Sequence, residues 1–165
     1  MVKRKIKEMD DKELQNKIVT SDKLEDYKNI LVGVDDSPDA QLAFQYSIKQ
    51  AKEDHSKLTI TSILEEQNVD VITSLSRDRL AEKQQEVLNK LEDYKKIALK
   101  SGVKEVETIT AIGDAGETIV RQIIPTVNPD LVIVGSLSKR GVTKYFGSQA
   151  AYVAKYSPVS VMVVR

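Results

Sequence analysis

Three stretches of the chain place side chains or backbone groups able to do chemistry directly after an apolar run. They are Asp35, Asp36 and Ser37; Glu65 and Glu66; and residues 135–148, in which Gly135 ends one run and Gly147 and Ser148 open a helix-forming segment. The last is the most informative. A glycine-punctuated loop entering a helix offers free backbone N–H groups and the positive end of the helix dipole, an arrangement suited to an anion. Known fingerprints narrow the choice. A Walker loop needs G-x-x-x-x-G-K-[ST], yet five residues separate Gly135 from Gly141, and Val142 follows. The dinucleotide pattern G-x-G-x-x-G is missing after the first run, where Gly33, Val34, Asp35 and Asp36 stand instead. There is no G-x-S-x-G nucleophile elbow, and the single histidine, His55, sits in a polar stretch. A serine triad therefore lacks its parts. Cysteine is absent, which removes disulfides, thiolate metal sites and cysteine nucleophiles, and one histidine cannot build a multi-histidine zinc site.

The elements that must position these residues alternate. Residues 29–35 form a compact apolar run with strand character. Ser37 and Pro38 then supply an N-cap and a first-turn proline, and Ala40, Ala43, Phe44, Ser47, Ile48 and Ala51 recur on one helical face. A second strand is predicted over 58–64, followed by a polar loop over 65–73. A long helix follows over 76–100, with Leu80, Val87, Leu91, Tyr94 and Ala98 in one stripe and Gly102 ending it. Its other face is Lys, Glu, Asp and Gln, a solvated surface. Residues 103–112 read as the third strand, and Asp114 with Glu117 as a capping box for a helix to about 126. The fourth strand, 130–135, is the most purely apolar; after a loop, a helix near Gly147 and Ser148 leads past Pro158 to a last strand over 159–165. Five strands alternating with four helices predict an α/β fold, a doubly wound parallel sheet with helices on both faces. In such sheets ligands bind beyond the carboxyl ends of the strands, where the strand order reverses.

Composition sets the frame. The 165 residues suit one domain. Twenty-five Lys and Arg balance 25 Asp and Glu, so no global charge draws the chain to nucleic acid. The longest apolar runs are strand-sized, far short of the roughly 20 residues of a membrane span, and the basic start is followed by charged residues rather than a signal-peptide core. The expectation is a soluble, cytoplasmic protein without a membrane or nucleic-acid partner. Residues 1–27 alternate charges without a clean stripe and read as an N-terminal extension to a domain spanning 28–165.

Four segments then carry a specific resemblance: 29–37 (NILVGVDDS), 130–136 (DLVIVGS), Gly147 with Ser148, and 157–165 (SPVSVMVVR). In this order and spacing they are similar to the universal stress protein family. The resemblance implies a Rossmann-like three-layer sandwich of the adenine nucleotide alpha hydrolase-like type, dimerisation through the last strands, and two branches, one of which binds ATP. The binding branch resembles G-x2-G-x9-G-[ST]. Here Gly135 fits the first position and Gly147 with Ser148 the end, but Ser138 replaces the second glycine, and eight residues rather than nine separate it from Gly147. A non-glycine in a left-handed position costs about 1–2 kcal/mol. Gly141 could restore flexibility, and Lys139, Arg140 and Lys144 add positive charge for a polyphosphate.

Carried over residue by residue, the resemblance puts Gly33, Asp35 and Ile63 around adenosine, Val134 and Gly135 along base and ribose, and Ser138, Gly147, Ser148 and the Gln149 amide on phosphates. Asp36 could face a nucleotide-borne magnesium ion; no protein-held metal is expected. Each position has a plain structural alternative: Asp35 ends a strand, Ile63 and Val134 fit any such core, and Ser148 is a good N-cap. The final strand, apolar on both faces, needs a partner, either a second copy across a two-fold axis or the N-terminal extension. The implied function is a stress-response sensor that binds ATP, ADP or AMP as a homodimer, with no evident general base and so no efficient hydrolysis. The alternatives are a domain that has lost its nucleotide and acts as a dimeric interaction module, and an ATP pyrophosphatase-like enzyme. The latter is disfavoured because the chain lacks S-G-G-x-D-S after the first strand.

Overall fold

The computed structural model describes residues 25–65, 77–137 and 147–165. Strands β1 (Asn29–Gly33), β2 (Lys57–Glu65), β3 (Val106–Gly113), β4 (Leu131–Gly135) and β5 (Ser160–Val164) form one parallel sheet in the order β3-β2-β1-β4-β5. The chain runs outward from β1 to β3, then returns to the other side of β1 as β4, so the order reverses between β1 and β4. The expected five-stranded, doubly wound α/β fold is what forms.

Period-two alternation along the strands divides the core between two faces. Ile30 and Val32 of β1, Ile60 of β2 and Ile133 of β4 pack on one face against helices α1 (Pro38–Glu53) and α2 (Arg77–Lys100). Leu31 of β1 and Val132 and Val134 of β4 pack on the other, against α3 (which begins at Ala115–Thr118) and α4 (Ser148–Tyr156). Central strands buried on both sides explain why β1 and β4 read as unbroken apolar runs.

Helix ends follow the capping chemistry of the sequence. Ser37 caps α1, its hydroxyl accepting from the Ala40 N–H at 3.2 Å. Gly102, at φ +101°, ends α2: its N–H donates to Leu99 O and that of Val103 to Ala98 O, the paired bonds of a Schellman motif. This turn delays β3, which starts at Val106 rather than 103. His55, at φ 56°, closes α1 in the same way, with the Ser56 N–H reaching Ala51 O. Asp114 caps α3 through the Glu117 N–H at 3.1 Å, but the Glu117 carboxylate pairs with Arg121 at 3.2 Å, so only half of the expected capping box forms. From Ala115–Thr118 this helix passes through a π turn at Ile119–Ile123 and ends as Ile124–Val127. The Ile124 N–H reaches back five residues to Ile119 O. That wider turn sits immediately before Pro125, which has no N–H to give and whose ring crowds the preceding turn. The simple helix expected here overlooked that proline.

Of the predicted extension only residues 25–27 are described; the Tyr27 N–H donates to Asp54 Oδ2 at 3.2 Å and its carbonyl accepts from Ser56 Oγ at 2.6 Å. Asp130, just ahead of β4, accepts from the N–H groups of Lys28 and Asn29 at 2.7 and 3.0 Å, tying the entry of β1 to that of β4.

Candidate functional site

A cavity of about 340 Å³ opens at the carboxyl ends of β1, β2 and β4, over the point where the strand order reverses. Its volume falls in the roughly 300–1,000 Å³ range usual for small-molecule sites. Gly33, Asp35, Ile63, Val134, Gly135, Gly147 and Gln149, seven of the residues singled out from the sequence, all line it. Ser148 does not line it: it is the exposed first residue of α4, whose N-cap is Gly147 rather than Ser148. Ser138 and the basic residues Lys139, Arg140 and Lys144 lie outside the described residues.

The inner wall is apolar because strand alternation turns Ile63 and Val134 to this face, where Ile119 of α3 and Val153 of α4 meet them. Gly33 points the same way and contributes no side chain. A Cβ built there meets only Val134 Cγ1 at 3.5 Å and Ile119 Cδ1 at 3.6 Å, ordinary contact distances. The glycine is therefore not required by crowding, and its missing side chain is part of the cavity.

Gly135 and Gly147 are glycines for another reason. A Cβ on Gly135 would lie 2.5 Å from Ala40 N and 2.6 Å from Asp39 C, so β4 and the first turn of α1 touch backbone to backbone. A Cβ on Gly147 would lie 2.6 Å from Ser136 O, the atom that accepts the Gly147 N–H at 2.8 Å. Buried Ser136 anchors this junction: its N–H donates to Val164 O at 2.7 Å and its hydroxyl to Asp39 Oδ2 at 2.6 Å. Replacing Gly147 by valine would open the loop closure itself, so that variant does not isolate a ligand effect.

At the mouth, Asp35 Oδ1 accepts the Ser37 N–H at 2.8 Å, a local turn that leaves the carboxylate on the cavity rim. Asp36 is engaged by Lys90 of α2, whose Nζ lies 3.0 and 2.8 Å from its two oxygens. That bond, ahead of the opposing desolvation, raises the Lys90 ammonium above its ordinary pKa. A magnesium ion carried by a nucleotide would compete with Lys90 for the exposed Asp36 carboxylate; the described residues contain no group of three or more His, Cys, Asp or Glu side chains able to hold a metal. Among the described residues no side chain caps α4, and its first helical bond runs from the Ala151 N–H to Gly147 O, so the opening N–H groups of the helix have no partner within it.

Gln149 has a use the sequence did not reveal. Its side-chain oxygen accepts the Gly116 N–H at 2.5 Å and its amide nitrogen donates to Asp114 Oδ2 at 2.8 Å. It thus clasps the N-terminus of α3 to that of α4, leaving its backbone N–H and the second N–H of its side-chain amide for a ligand. Gly116 permits the approach, since a Cβ there would lie 2.9 Å from Gln149 Oε1 and 3.1 Å from Tyr152 Cβ. Thr61, Ala115, Gly116 and Ile119 also line the cavity without having been singled out. No local signal marks them: Thr61 lies inside β2 and the other three in α3, and only the packing of that helix on the sheet brings them to the cavity.

Comparison with known proteins agrees with this geometry. The Universal stress protein family model matches residues 26–165. A universal stress protein of Staphylococcus aureus (strain USA300) is 31% identical over 143 residues, covering 84% of each chain. Among solved structures, the hypothetical protein MJ0577 superposes with a TM-score of 0.74 at 26% identity, over 84% of this chain and 96% of that one. UspA from Lactobacillus plantarum gives 0.69 at 23%, over 84% and 98%. A universal stress protein in complex with cAMP gives 0.63 at 24%, over 85% and 98%. With a family model matching residues 26–165 and a relative 31% identical over 84% of each chain, the chain belongs to the universal stress protein family.

Proposed function

We propose that this chain is a cytoplasmic, nucleotide-responsive regulator that binds an adenine nucleotide in the cavity over β1 and β4 and turns it over slowly or not at all. The observation that carries this reading is the layering of one cavity: apolar walls of Ile63 and Val134 deep inside, the Asp35 carboxylate at the rim, and the uncapped N-terminus of α4 beyond it. That order matches the parts of a nucleotide, a flat apolar base, a hydroxyl-bearing sugar and an anionic phosphate. The similar structure that holds cAMP supports the ligand class. Because Asp36 is paired with Lys90, any magnesium would arrive with the nucleotide rather than reside in the protein. The outer edge of β5 supports a homodimer formed by pairing Ser160–Val164 with a second copy.

The competing reading, an interaction module without nucleotide, rests on Ser138 standing where the nucleotide-binding branch has glycine. Two measurements separate them. Protein denatured as purified is expected to release near-stoichiometric adenine nucleotide, and calorimetric titration with ATP (with and without magnesium), AMP and cAMP is expected to saturate at one site per chain. Nucleotide-free protein that also gives no heat with any of the four would establish the interaction module instead. Rapid phosphate release by the purified protein would overturn the regulatory reading.

A further inference from the structure

Three buried side-chain polar atoms among the described residues have no hydrogen-bond partner: Asn29 Oδ1, Thr59 Oγ1 and Thr61 Oγ1. Buried hydroxyls are nearly always paired, because desolvating one without a partner costs stability. Thr61 alone of the three lines the cavity. It lies opposite Gly33 in the β1–β2 register and opposite Ile109 in the β2–β3 register, so its side chain projects to the α3 and α4 face. Gly33, opposite it, carries no side chain. The Thr61 carbonyl is committed to the Val34 N–H at 2.8 Å, which leaves the hydroxyl as the polar group with capacity to spare. Around it the inner wall is hydrocarbon, from Ile63, Val134 and Ile119.

We infer that Thr61 is a specificity-determining residue of this site, its hydroxyl the hydrogen-bond partner for the polar edge of a heterocyclic base that enters the inner end of the cavity. The inference rests on the nucleotide reading above. A threonine hydroxyl both donates and accepts, so it can meet a ring nitrogen or an exocyclic amine by rotating about χ1. Thr61 is fully buried in the ligand-free chain, so its hydroxyl meets an occupant only when that occupant displaces the side chains covering it, which a planar apolar ring does at less cost than a hydrated phosphate. An orphaned hydroxyl retained at that point stabilises the complex at the expense of the empty protein.

Thr59 supplies the control, being the same residue type on the same strand face, orphaned and buried, but not lining the cavity. Titration of the full-length chain with AMP, alongside the thermal midpoint of each ligand-free protein, tests the assignment on Thr61→Val, Thr61→Ser and Thr59→Val. Thr61→Val is expected to weaken AMP about tenfold while leaving the ligand-free midpoint unchanged or higher. Thr61→Ser, which keeps the hydroxyl, should bind within about threefold of wild type, and Thr59→Val should bind as wild type. Wild-type affinity in Thr61→Val overturns this inference and leaves nucleotide binding standing. Equal weakening in Thr61→Val and Thr61→Ser, or in Thr61→Val and Thr59→Val, overturns it as well, because the effect then comes from strand packing. A wild-type protein that binds ATP or cAMP but no AMP overturns this inference alone, and one that binds none of the three overturns both readings.

Discussion

The two faces of one sheet are built for different ends. Against α1 and α2, Ile30, Val32, Leu58, Ile60 and Ile133 are fully buried and fill the space between strands and helices. Against α3 and α4, the equivalent positions include Gly33 with no side chain, and Thr59 and Thr61 with unpaired hydroxyls, under a helix interrupted by a π turn. Both faces come from the same strands, so the contrast arises from which residues fall on odd and even positions. One face supplies stability through apolar burial; the other gives some of it up to keep a cavity open at the strand ends.

Substitutions can break that contrast, and the largest effect belongs to the packed face. Ile60→Ala, at a fully buried position, should cost about 2–5 kcal/mol in urea unfolding while leaving nucleotide affinity in the surviving folded protein unchanged. Gly135→Ala forces a methyl group against the backbone of Asp39 and Ala40 and should cost about 1–3 kcal/mol, showing up in unfolding before it shows up in binding. Asp114→Ala removes the cap of α3 and one end of the Gln149 clasp, for about 1 kcal/mol, with weaker nucleotide binding because the helix termini at the cavity lose their tie.

The smallest effect sits at the rim. Lys90→Met deletes the exposed pair with Asp36 and should change stability by less than about 1 kcal/mol. The Lys90 pKa is raised in the folded chain, so the pair's contribution is fully present below the ordinary lysine value of 10.5 and is lost as pH rises through the raised value. Unfolding curves for wild type and Lys90→Met should therefore stay separated below pH 10.5 and draw together as pH rises above it. A difference that persists there would mean Lys90 acts through its packed stem rather than its charge.

Much of this architecture was legible because apolar periodicity and helix punctuation are local. Ser37 with Pro38, Gly102 and Asp114 each mark a helix end through a bond to a neighbour within five residues, and each does so in the fold. That seven of the singled-out residues would line one cavity was also legible, since the residues after a strand in a parallel sheet converge wherever the order reverses. What could not be read is how residues far apart in sequence divide the available partners. Asp36 meets Lys90 across 54 positions, Gln149 meets Asp114 across 35, and Gly135 is a glycine for the sake of Ala40. The π turn escaped because it answers a proline inside a helix, where local propensity predicts a break and the surrounding packing holds the helix together.

The central claim, that the α3 and α4 face keeps its cavity for an adenine nucleotide, is tested most directly by Gly33→Val. The added methyl groups enter space bounded by Val134 and Ile119, where a Cβ meets nothing closer than 3.5 Å. Calorimetric titration with ATP and AMP, together with the thermal midpoint, is expected to show affinity reduced at least about tenfold in a protein that still folds, with a stability cost of about 1–3 kcal/mol as the added methyl groups press on Val134 and Ile119. Full wild-type affinity in a folded Gly33→Val protein would contradict the account, because the nucleotide would then bind somewhere other than this cavity.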